Sequence, residues 1–386
     1  MPRPILVDRL EMLVRVVDSL AQCPRVALDT EINSMHAYEP RVCLVTLCEA
    51  HADEVADEVF VVDTLAMPSL LPLVPLLGGA NAVPIVHDVS FDARKLAAEG
   101  VALEHALDTA LHARFLGLAA TGLAGLLGER FGLKLSKEHQ RANWGRRPLH
   151  RELIEYVIND VAYLGPLASQ LEREADALGV LDEVAVETAW ALASAREVGD
   201  GAPPYAELKG TRELSPDGRA VLRSLWLVRD RLARRLNTPP GQVVGSQGLI
   251  RVTRSRPRDV ASFRAASASQ VSDALLQELV DAIADGERDG DVPEEERHWF
   301  AIVRSPSGEI SRRRAREEAL SAWRAAEAEL RGVSPQVVLP GHVLADLAKL
   351  APHHASEMLE VPGFGQVRVD RYGDELIAML RGFEKS

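Results

Sequence analysis

Four short runs rich in valine, isoleucine and leucine within the first 90 residues restrict the folds that this chain can adopt. They are VALDT, VCLVTL, VFVVDT and VPIVHD, and each has the length and composition of a short β-strand. The first three are separated by stretches too short for much helix, so we expect antiparallel pairing there. After residues 59–63 the pattern changes to helices around one further strand. The sequence therefore predicts a mixed α/β domain from residue 4 to about residue 195.

The second half of the chain has a helical pattern that occurs twice. A turn-rich stretch, VGDGAPPYAELKG at 198–210, follows the α/β region and is typical of a linker. Beyond it, LVRDRLARRLNTPPGQVVGSQGLIRV and AWRAAEAELRGVSPQVVLPGHVLADL share a long amphipathic helix, a proline-containing turn and shorter helices. We expect an internal repeat of one small helical domain. The predicted domains are 1–205, 211–285 and 312–386, with an acidic, turn-rich linker over 286–311.

Composition limits the class of protein. The 386 residues are 47% hydrophobic and 26% charged, as in a soluble globular protein of two or three domains. No apolar run reaches the ~18 residues needed to cross a bilayer, and the first residues include acids where a signal peptide has an apolar core. The three cysteines are odd in number and do not suggest a disulfide framework. We predict a cytoplasmic protein with no membrane partner.

The net charge of −13 hides two regions of opposite charge. Residues 211–270 contain 12 arginines and 4 acidic residues, a net charge of +8. Residues 271–300 contain 2 arginines and 10 acidic residues, a net charge of −8. The basic stretch could contact the phosphates of a nucleic acid. Alternatively, its arginines form a solvated face that pairs with acids elsewhere, including the nearby acidic linker.

Acidic residues at three places in the α/β region could belong to one site. Asp29 and Glu31 end a strand, and residues two apart on a strand share a face. Asp92 lies near the start of the helix that follows VPIV, and Tyr156 and Asp160 share one face of a later helix. Singly, each has an ordinary explanation as a turn former, a helix cap or an amphipathic face. Their combination and order point to a site.

In order and spacing these motifs resemble those of the DEDD exonucleases, in the subgroup with a tyrosine before the last aspartate, and more narrowly those of the ribonuclease D family. In HDVSFD the family's spacing selects Asp92 rather than Asp88. The segment around Tyr38, the LDT at 107–109 and the stretch KLSKEHQRANWGRRPL resemble further family segments. The resemblance covers roughly residues 5–180 and implies a ribonuclease H-like mixed sheet.

The resemblance also implies the chemistry of the site. Asp29, Glu31, Asp92 and Asp160 would hold two divalent cations, Mg²⁺ or Mn²⁺, because hard cations prefer oxygen ligands. Two such ions can stabilise both the attacking and the leaving oxygen of a phosphodiester cleavage. Tyr156 would orient the attacking water, since an ordinary pKa near ~10 makes a tyrosine a poor general base at neutral pH.

Substrate contacts are predicted less sharply than metal ligands. The candidates are His87, Lys137, Arg147, Arg234 and Arg235. The chain also departs from the family pattern, because Ile32 replaces an aromatic residue after Asp-x-Glu and Asn143 replaces an aspartate before Trp144. Neither departure removes a metal ligand, and the loss of the aromatic residue at position 32 bears on stacking with the terminal base of a substrate.

The two helical blocks resemble HRDC domains, small all-α bundles that often bind nucleic acid. The resemblance predicts a monomeric 3′–5′ exoribonuclease that releases nucleoside 5′-monophosphates from tRNA precursors and other structured RNA. One alternative is a DNA exonuclease of repair, and another is an RNA-binding scaffold with a lapsed active site. The complete acidic set argues against the scaffold. The two helical blocks, with no GxxxxGK[ST] motif, argue against the DNA enzyme.

Overall fold

The computed structural model describes residues 2–135, 138–197, 201–300 and 307–383. The chain divides into two compact units. The first unit comprises Met1–Glu31, Val42–Glu197 and Arg304–Ser386, and the second comprises Ile32–Arg41 and Val198–Val303. In the described part of the chain, no helix combines the length and the apolar character needed to cross a membrane.

A six-stranded mixed sheet forms the centre of the first unit. Its strands are β1 (Arg3–Val7), β2 (Arg25–Ile32), β3 (Val42–Glu49), β4 (Glu58–Asp63), β5 (Val83–Val86) and β6 (Leu107–Asp108). Their order across the sheet is β1-β4-β3-β2-β5-β6. β3 and β4 pair antiparallel, as expected, whereas β1 with β4, β2 with β5 and β5 with β6 pair parallel.

The structure contains two strands that the sequence patterns do not predict. Only one strand is expected after β4, but both β5 and β6 follow it. β6 has two residues, too few for a periodic pattern. β1 contains Pro4 and lies at the sheet edge, where Leu6 is 49% exposed, so it lacks the buried apolar run that marks the inner strands.

Helices surround the sheet and hold its inner strands away from solvent. They are α1 (Leu10–Leu20), α2 (Val74–Leu77), α3 (Val89–Ala98), α4 (Thr109–Phe115), α5 (Leu123–Phe131), α6 (Arg151–Ala162), α7 (Leu164–Leu178) and α8 (Leu181–Arg196). α6 contacts β3 and β4, and α8 packs against α3. β3 is buried on both faces over all but its last residue, which explains its continuous apolar sequence.

The second unit is a helical bundle. Its helices are α9 (Pro216–Leu236), α10 (Pro240–Val243), α11 (Ser246–Ser255), α12 (Val260–Ser267), α13 (Asp273–Asp289) and α14 (Glu294–Arg297). The Ser215 side chain caps the start of α9 by accepting from the N–H of Gly218, and Pro216 fits the first helical position. α13 packs along α9 and completes the bundle's core.

The C-terminal helices repeat the pattern of α9 to α13. They are α15 (Ser307–Arg331), α16 (Pro335–Val338), α17 (Gly341–Leu350), α18 (Ala355–Met358) and α19 (Gln366–Arg381). In both copies an arginine of the long helix donates to the carbonyl that follows the short second helix. Arg229 Nη1 lies 3.3 Å from the Val244 oxygen, and Arg324 Nη1 lies 3.0 Å from the Leu339 oxygen. The structure therefore contains the predicted repeat.

The proposed linker is more helical than its composition suggests. α13 extends past the predicted boundary at 285 and ends where Gly290 adopts φ +71°. α15 begins before the predicted boundary at 312. Acidic residues and arginine are compatible with helix, so a charged composition does not by itself end one. The left-handed glycine does end it.

Candidate active site

Strand β2 brings two carboxylates to the same face of the sheet. Val26 and Leu28 are fully buried, and β2 lies between β3 and β5. This burial fixes the register of the strand, so Asp29 and Glu31 project together. Oxygen atoms of Asp29, Glu31 and Asp160 all lie within 4.8 Å of one another. Three carboxylates from β2 and α6 therefore meet at one point.

Helix α6 supplies the third carboxylate and a tyrosine beside it. Its residue Val157 is buried, and the helix contacts β3 and β4. Tyr156 and Asp160 share a helix face, and the charge of Asp160 acts on the Tyr156 hydroxyl. The ring of Tyr156 lies 5.7 Å from that of His139, edge to face, and 6.0 Å from that of Trp144. These two rings limit how far the tyrosine can turn.

Helix α3 places a fourth carboxylate next to the other three. Asp92 is 3% exposed, and the hydroxyl of Thr30 donates to its Oδ1 at 2.5 Å. Burial raises the pKa of Asp92, and the charge of Asp29 raises it further. Asp88, the alternative in the same motif, is exposed and lies at the left-handed residue before α3. The structure brings Asp92, and not Asp88, to the acidic group.

Burial raises the pKa values of all four carboxylates, and the charges of neighbouring carboxylates raise three of them further. Burial raises the pKa of Asp29 to about 7. Burial, with the charges of Asp29, Asp160 and Asp92, raises the pKa of Glu31 to about 10. Burial and the charge of Asp29 also raise the pKa of Asp92 and of Asp160 well above the ordinary range. Without cations, Glu31, Asp92 and Asp160 retain their protons at neutral pH.

The donor set fits hard divalent cations. Every group in it is a carboxylate, and carboxylate oxygens suit Mg²⁺ and Mn²⁺ better than softer metals. A cation would also offset the burial and the repulsion that hold these pKa values high. Among the residues that the structure describes, Asp29, Glu31 and Asp160 form the one cluster close enough to share a metal ion.

The predicted substrate contacts near the α/β site have different surroundings. His87 is half-buried, with Nδ1 2.9 Å from the hydroxyl of Thr109, and burial lowers its pKa. Arg147 forms a bidentate pair with Asp63, with Nε and Nη2 each 2.5 Å from a carboxylate oxygen. The Arg147 guanidinium therefore binds a carboxylate of the protein itself. Lys137 lies outside the described residues.

The basic stretch of the second unit is mostly paired internally. Arg235 donates to Glu278 at 2.6 Å, and Arg234 donates to the hydroxyl of Tyr38 at 3.0 Å while its guanidinium lies 4.8 Å from that ring's centre. Further pairs are Arg223 with Glu296, Arg231 with Glu278, Arg254 with Glu213, Arg256 with Asp217, Arg258 with Glu287 and Arg264 with Asp273. The structure thus favours the alternative in which these arginines pair with acids, several of them in or beside the acidic stretch.

Several contacts around the site are not predicted by sequence patterns, although His139 and Trp144 lie in the stretch that resembles a family segment. Thr30 holds Asp92, and His139 and Trp144 flank the ring of Tyr156. Thr30 lies between the two acids of β2 in the sequence, and this position is the signal that could have identified it. An irregular loop separates His139 and Trp144 from helix α6. No helix or strand period therefore predicts their contacts with Tyr156, which depend on tertiary structure.

The fold and the site together define a class of protein. Residues 4–176 match the 3′–5′ exonuclease domain family, and residues 218–283 and 313–380 match the HRDC domain family. The first match contains the sheet and all four carboxylates, and the other two coincide with the repeated helical bundles. This is the architecture of a 3′–5′ exonuclease followed by two HRDC domains.

Comparison with individual relatives identifies a family within this class of protein. Ribonuclease D of Desulfotalea psychrophila is 30% identical over 267 residues, which cover 65% of this chain and 67% of that protein. Ribonuclease D of Gluconacetobacter diazotrophicus is 29% identical over 393 residues, 99% of this chain and 94% of that protein. The chain belongs to the ribonuclease D family of 3′–5′ exoribonucleases.

A solved structure agrees with the predicted fold. The crystal structure of Escherichia coli ribonuclease D matches with a TM-score of 0.71 at 21% identity, over 99% of each chain. The match confirms the predicted fold class, a mixed-sheet α/β domain followed by two all-α bundles.

Proposed function

We propose that Asp29, Glu31, Asp92 and Asp160 hold two divalent cations, Mg²⁺ or Mn²⁺, at the site where this exoribonuclease cleaves RNA. The observation that carries the proposal is the approach of three carboxylates to within 4.8 Å of one another. The fourth, Asp92, is buried beside Asp29. When bound, a pair of divalent cations stabilises the charge on the attacking and leaving oxygens of a phosphodiester hydrolysis.

We infer that Tyr156 holds the attacking water in line with the terminal phosphorus. Burial and the charges of Asp160 and Glu31 raise the pKa of Tyr156 above its ordinary value, so its hydroxyl keeps its proton. The water oxygen bonds to phosphorus as the bond to the 3′ oxygen of the preceding nucleotide breaks. The products are a nucleoside 5′-monophosphate and an RNA one nucleotide shorter, whose new 3′-hydroxyl has gained a proton.

We propose 3′ ends of structured RNA as substrates, with tRNA precursors among them. The Escherichia coli ribonuclease D that this chain resembles is described as an exoribonuclease involved in structured RNA processing. The two HRDC matches that follow the exonuclease domain supply further surface for a structured substrate. We also propose a cytoplasmic monomer, on the basis of its composition.

A 5′-labelled, 3′-extended tRNA-like RNA and its DNA counterpart would test the proposal. Each is incubated with Mg²⁺, with Mn²⁺ or with EDTA, and the Asp160→Ala variant is assayed in parallel. We expect stepwise shortening of the RNA that EDTA and the variant both abolish. Equal shortening of the DNA would support the repair exonuclease instead. Binding without shortening under every condition would support the scaffold.

A pair of neighbouring variants tests the choice of metal ligand. Asp92→Asn removes a proposed ligand and should lower activity at least about a hundred-fold, because each 1.36 kcal/mol lost from the transition state costs a factor of about ten. Asp88→Asn changes an exposed aspartate near the start of the same helix, and asparagine tolerates its left-handed backbone. We expect Asp88→Asn to retain activity. Equal losses in the two variants would contradict the assignment.

A further inference from the structure

Asp108, at the end of β6, uses one buried carboxylate to cap two helices. It is 1% exposed. Its Oδ1 accepts from the N–H groups of Ala110 at 2.8 Å and Leu111 at 3.2 Å, at the start of α4. Oδ1 also accepts from the N–H of Asp88 at 3.1 Å, and Oδ2 accepts from that of Val89 at 2.9 Å, at the start of α3. The N-termini of α3 and α4 therefore share one acceptor group.

The N-terminus of helix α3 is capped by Asp108 and not by the side chain of its own N-cap residue. Asp88 occupies the N-cap position of α3, but its own side chain caps nothing and its φ is +73°. A left-handed backbone at a residue other than glycine persists only where the surroundings hold it. The hydrogen bonds of Asp108 to Asp88 and Val89 provide that hold. Asp92 follows in the first turn of the same helix.

From this geometry we infer that Asp108 is a positioning residue for the reaction, because it sets the place of Asp92 beside Asp29. The inference rests on the proposed function, in which Asp92 is a metal ligand. Thr30 holds Asp92 through its side chain, whereas Asp108 holds the helix turn that carries it. Residues that orient a metal ligand commonly change metal affinity by about 10- to 100-fold when replaced.

The binding of Mn²⁺ to the full-length, cation-free protein tests the inference without relying on activity. The electron paramagnetic resonance signal of free Mn²⁺ gives the dissociation constant. In Asp108→Asn the amide oxygen can replace Oδ1 and keep the α4 cap and the contact with Asp88, while the amide NH₂ faces the N–H of Val89, so the contact with Val89 in the first turn of α3 is lost. We expect the dissociation constant of the weaker Mn²⁺ ion to rise about 10- to 100-fold.

Asp259→Asn is the matched control. Asp259 caps α12 in the second unit by accepting from the N–H of Ser262 at 2.8 Å. In this variant the amide oxygen can keep the α12 cap, so we expect little change in thermal stability and none in Mn²⁺ affinity. If Asp108→Asn behaves like this control, with unchanged Mn²⁺ affinity, Asp108 is only a structural cap and the inference is wrong.

Two further variants keep the test decisive. If Asp108→Asn does not fold, Asp108→Ser preserves an N-cap for α4 but has no second oxygen for Val89, and the same rise is expected. In an Asp92→Asn background, Asp108→Asn should change Mn²⁺ affinity no further, because its effect passes through Asp92. A further loss there would contradict this route. Failure of the wild-type protein to bind Mn²⁺ would instead overturn the proposed metal site.

Discussion

Tyr156, beside the carboxylates of the site, holds its proton more tightly than an ordinary tyrosine does. Burial and the charges of Asp160, Glu31 and Asp29 all raise its pKa. Such a group cannot serve as a general base at neutral pH, and its contribution is restricted to hydrogen bonding and orientation. The flanking rings of His139 and Trp144 suit that role.

Tyr156→Phe separates orientation from metal binding. We expect kcat to fall about a hundred-fold, because the attacking water loses the group that aligns it. Mn²⁺ binding should be nearly unchanged, since the four carboxylates remain. Steady-state cleavage assays across a pH series provide the measurement. The pH–rate profile should keep its shape in the variant, and the loss of a basic limb would show that the tyrosine hydroxyl titrates during the reaction.

At the scale of residues, the sequence identifies the chemical groups of the site better than their supports. The period of a strand places Asp29 and Glu31 on one face, the period of a helix does the same for Tyr156 and Asp160, and the family resemblance selects them as one site. Thr30 on β2 donates a hydrogen bond to Asp92 on α3, and no period within one element relates two such positions. Arg147 shows the same limit, because its pairing with Asp63 depends on where β4 lies.

Helix α8 contains a buried glutamate that lies next to a histidine of another helix. Its Glu187 lies 3.8 Å from Nδ1 of His342 on α17, and the ring of His342 stacks on Trp190 at 3.5 Å between centres. Burial raises the pKa of Glu187 to about 7 and lowers the pKa of His342 to about 4. Between those pH values both groups are neutral, so this contact does not join two charges.

The Glu187→Gln variant should show how much the buried Glu187 carboxylate lowers the free energy of unfolding at each pH. The pKa of Glu187 is near its ordinary value of 4.5 in the unfolded chain and about 7 in the folded protein, so stability falls as pH rises through this window. At pH 8 the variant should be more stable by up to about 3 kcal/mol, and at pH 4 unchanged. The charges of Arg368 and Arg114 oppose the shift and reduce the gain.

Urea unfolding at pH 4 and pH 8 checks this prediction. Glu329→Gln, at an exposed position on α15, is the control and should change stability little at either pH. A loss of stability in Glu187→Gln at pH 8 would mean that attraction to Arg368 outweighs the cost of burial.

In the whole molecule, the first unit joins parts of the chain that are far apart in sequence. Glu183 of α8 is 1% exposed and accepts from Arg331 of α15 at 3.1 Å and from Arg371 of α19. α16 also contacts α4, and α19 contacts α8. These contacts explain why the C-terminal helical block belongs to the same compact unit as the α/β region.

Glu183→Ala should destabilise this unit. The change removes the acceptor of two arginines, one of them 17% exposed, and loss of one partner of a buried charged pair costs about 3 kcal/mol. Thermal and urea unfolding measure the loss. Asp182→Ala, at the exposed neighbouring position, should stay within about 0.5 kcal/mol of wild type. Equal effects of the two substitutions would rule out the pairing as a source of stability.

The second unit contains a short segment of the α/β region. Residues 32–41 follow Glu31 in the chain but belong to the unit of α9 to α14. The Tyr38 hydroxyl donates to Asp230 of α9 at 2.7 Å and accepts from Arg234, and Gln242 donates to the Met35 carbonyl at 2.8 Å. The domain boundaries predicted from composition assign this segment to the exonuclease domain, because a continuous stretch of chain is the simplest unit that composition can define.

The amino-acid sequence by itself determined the inner strands, the repeated helical block and the acidic motifs, because each is set by residues close together in the chain. Only the tertiary structure decided which groups meet. It placed Asp92 beside Asp29, paired the arginines near Arg235 with acids, and brought Asp108 to the start of α3. Periodicity reports which face of an element is buried, whereas the partner of a buried polar group depends on the packing of elements distant in sequence.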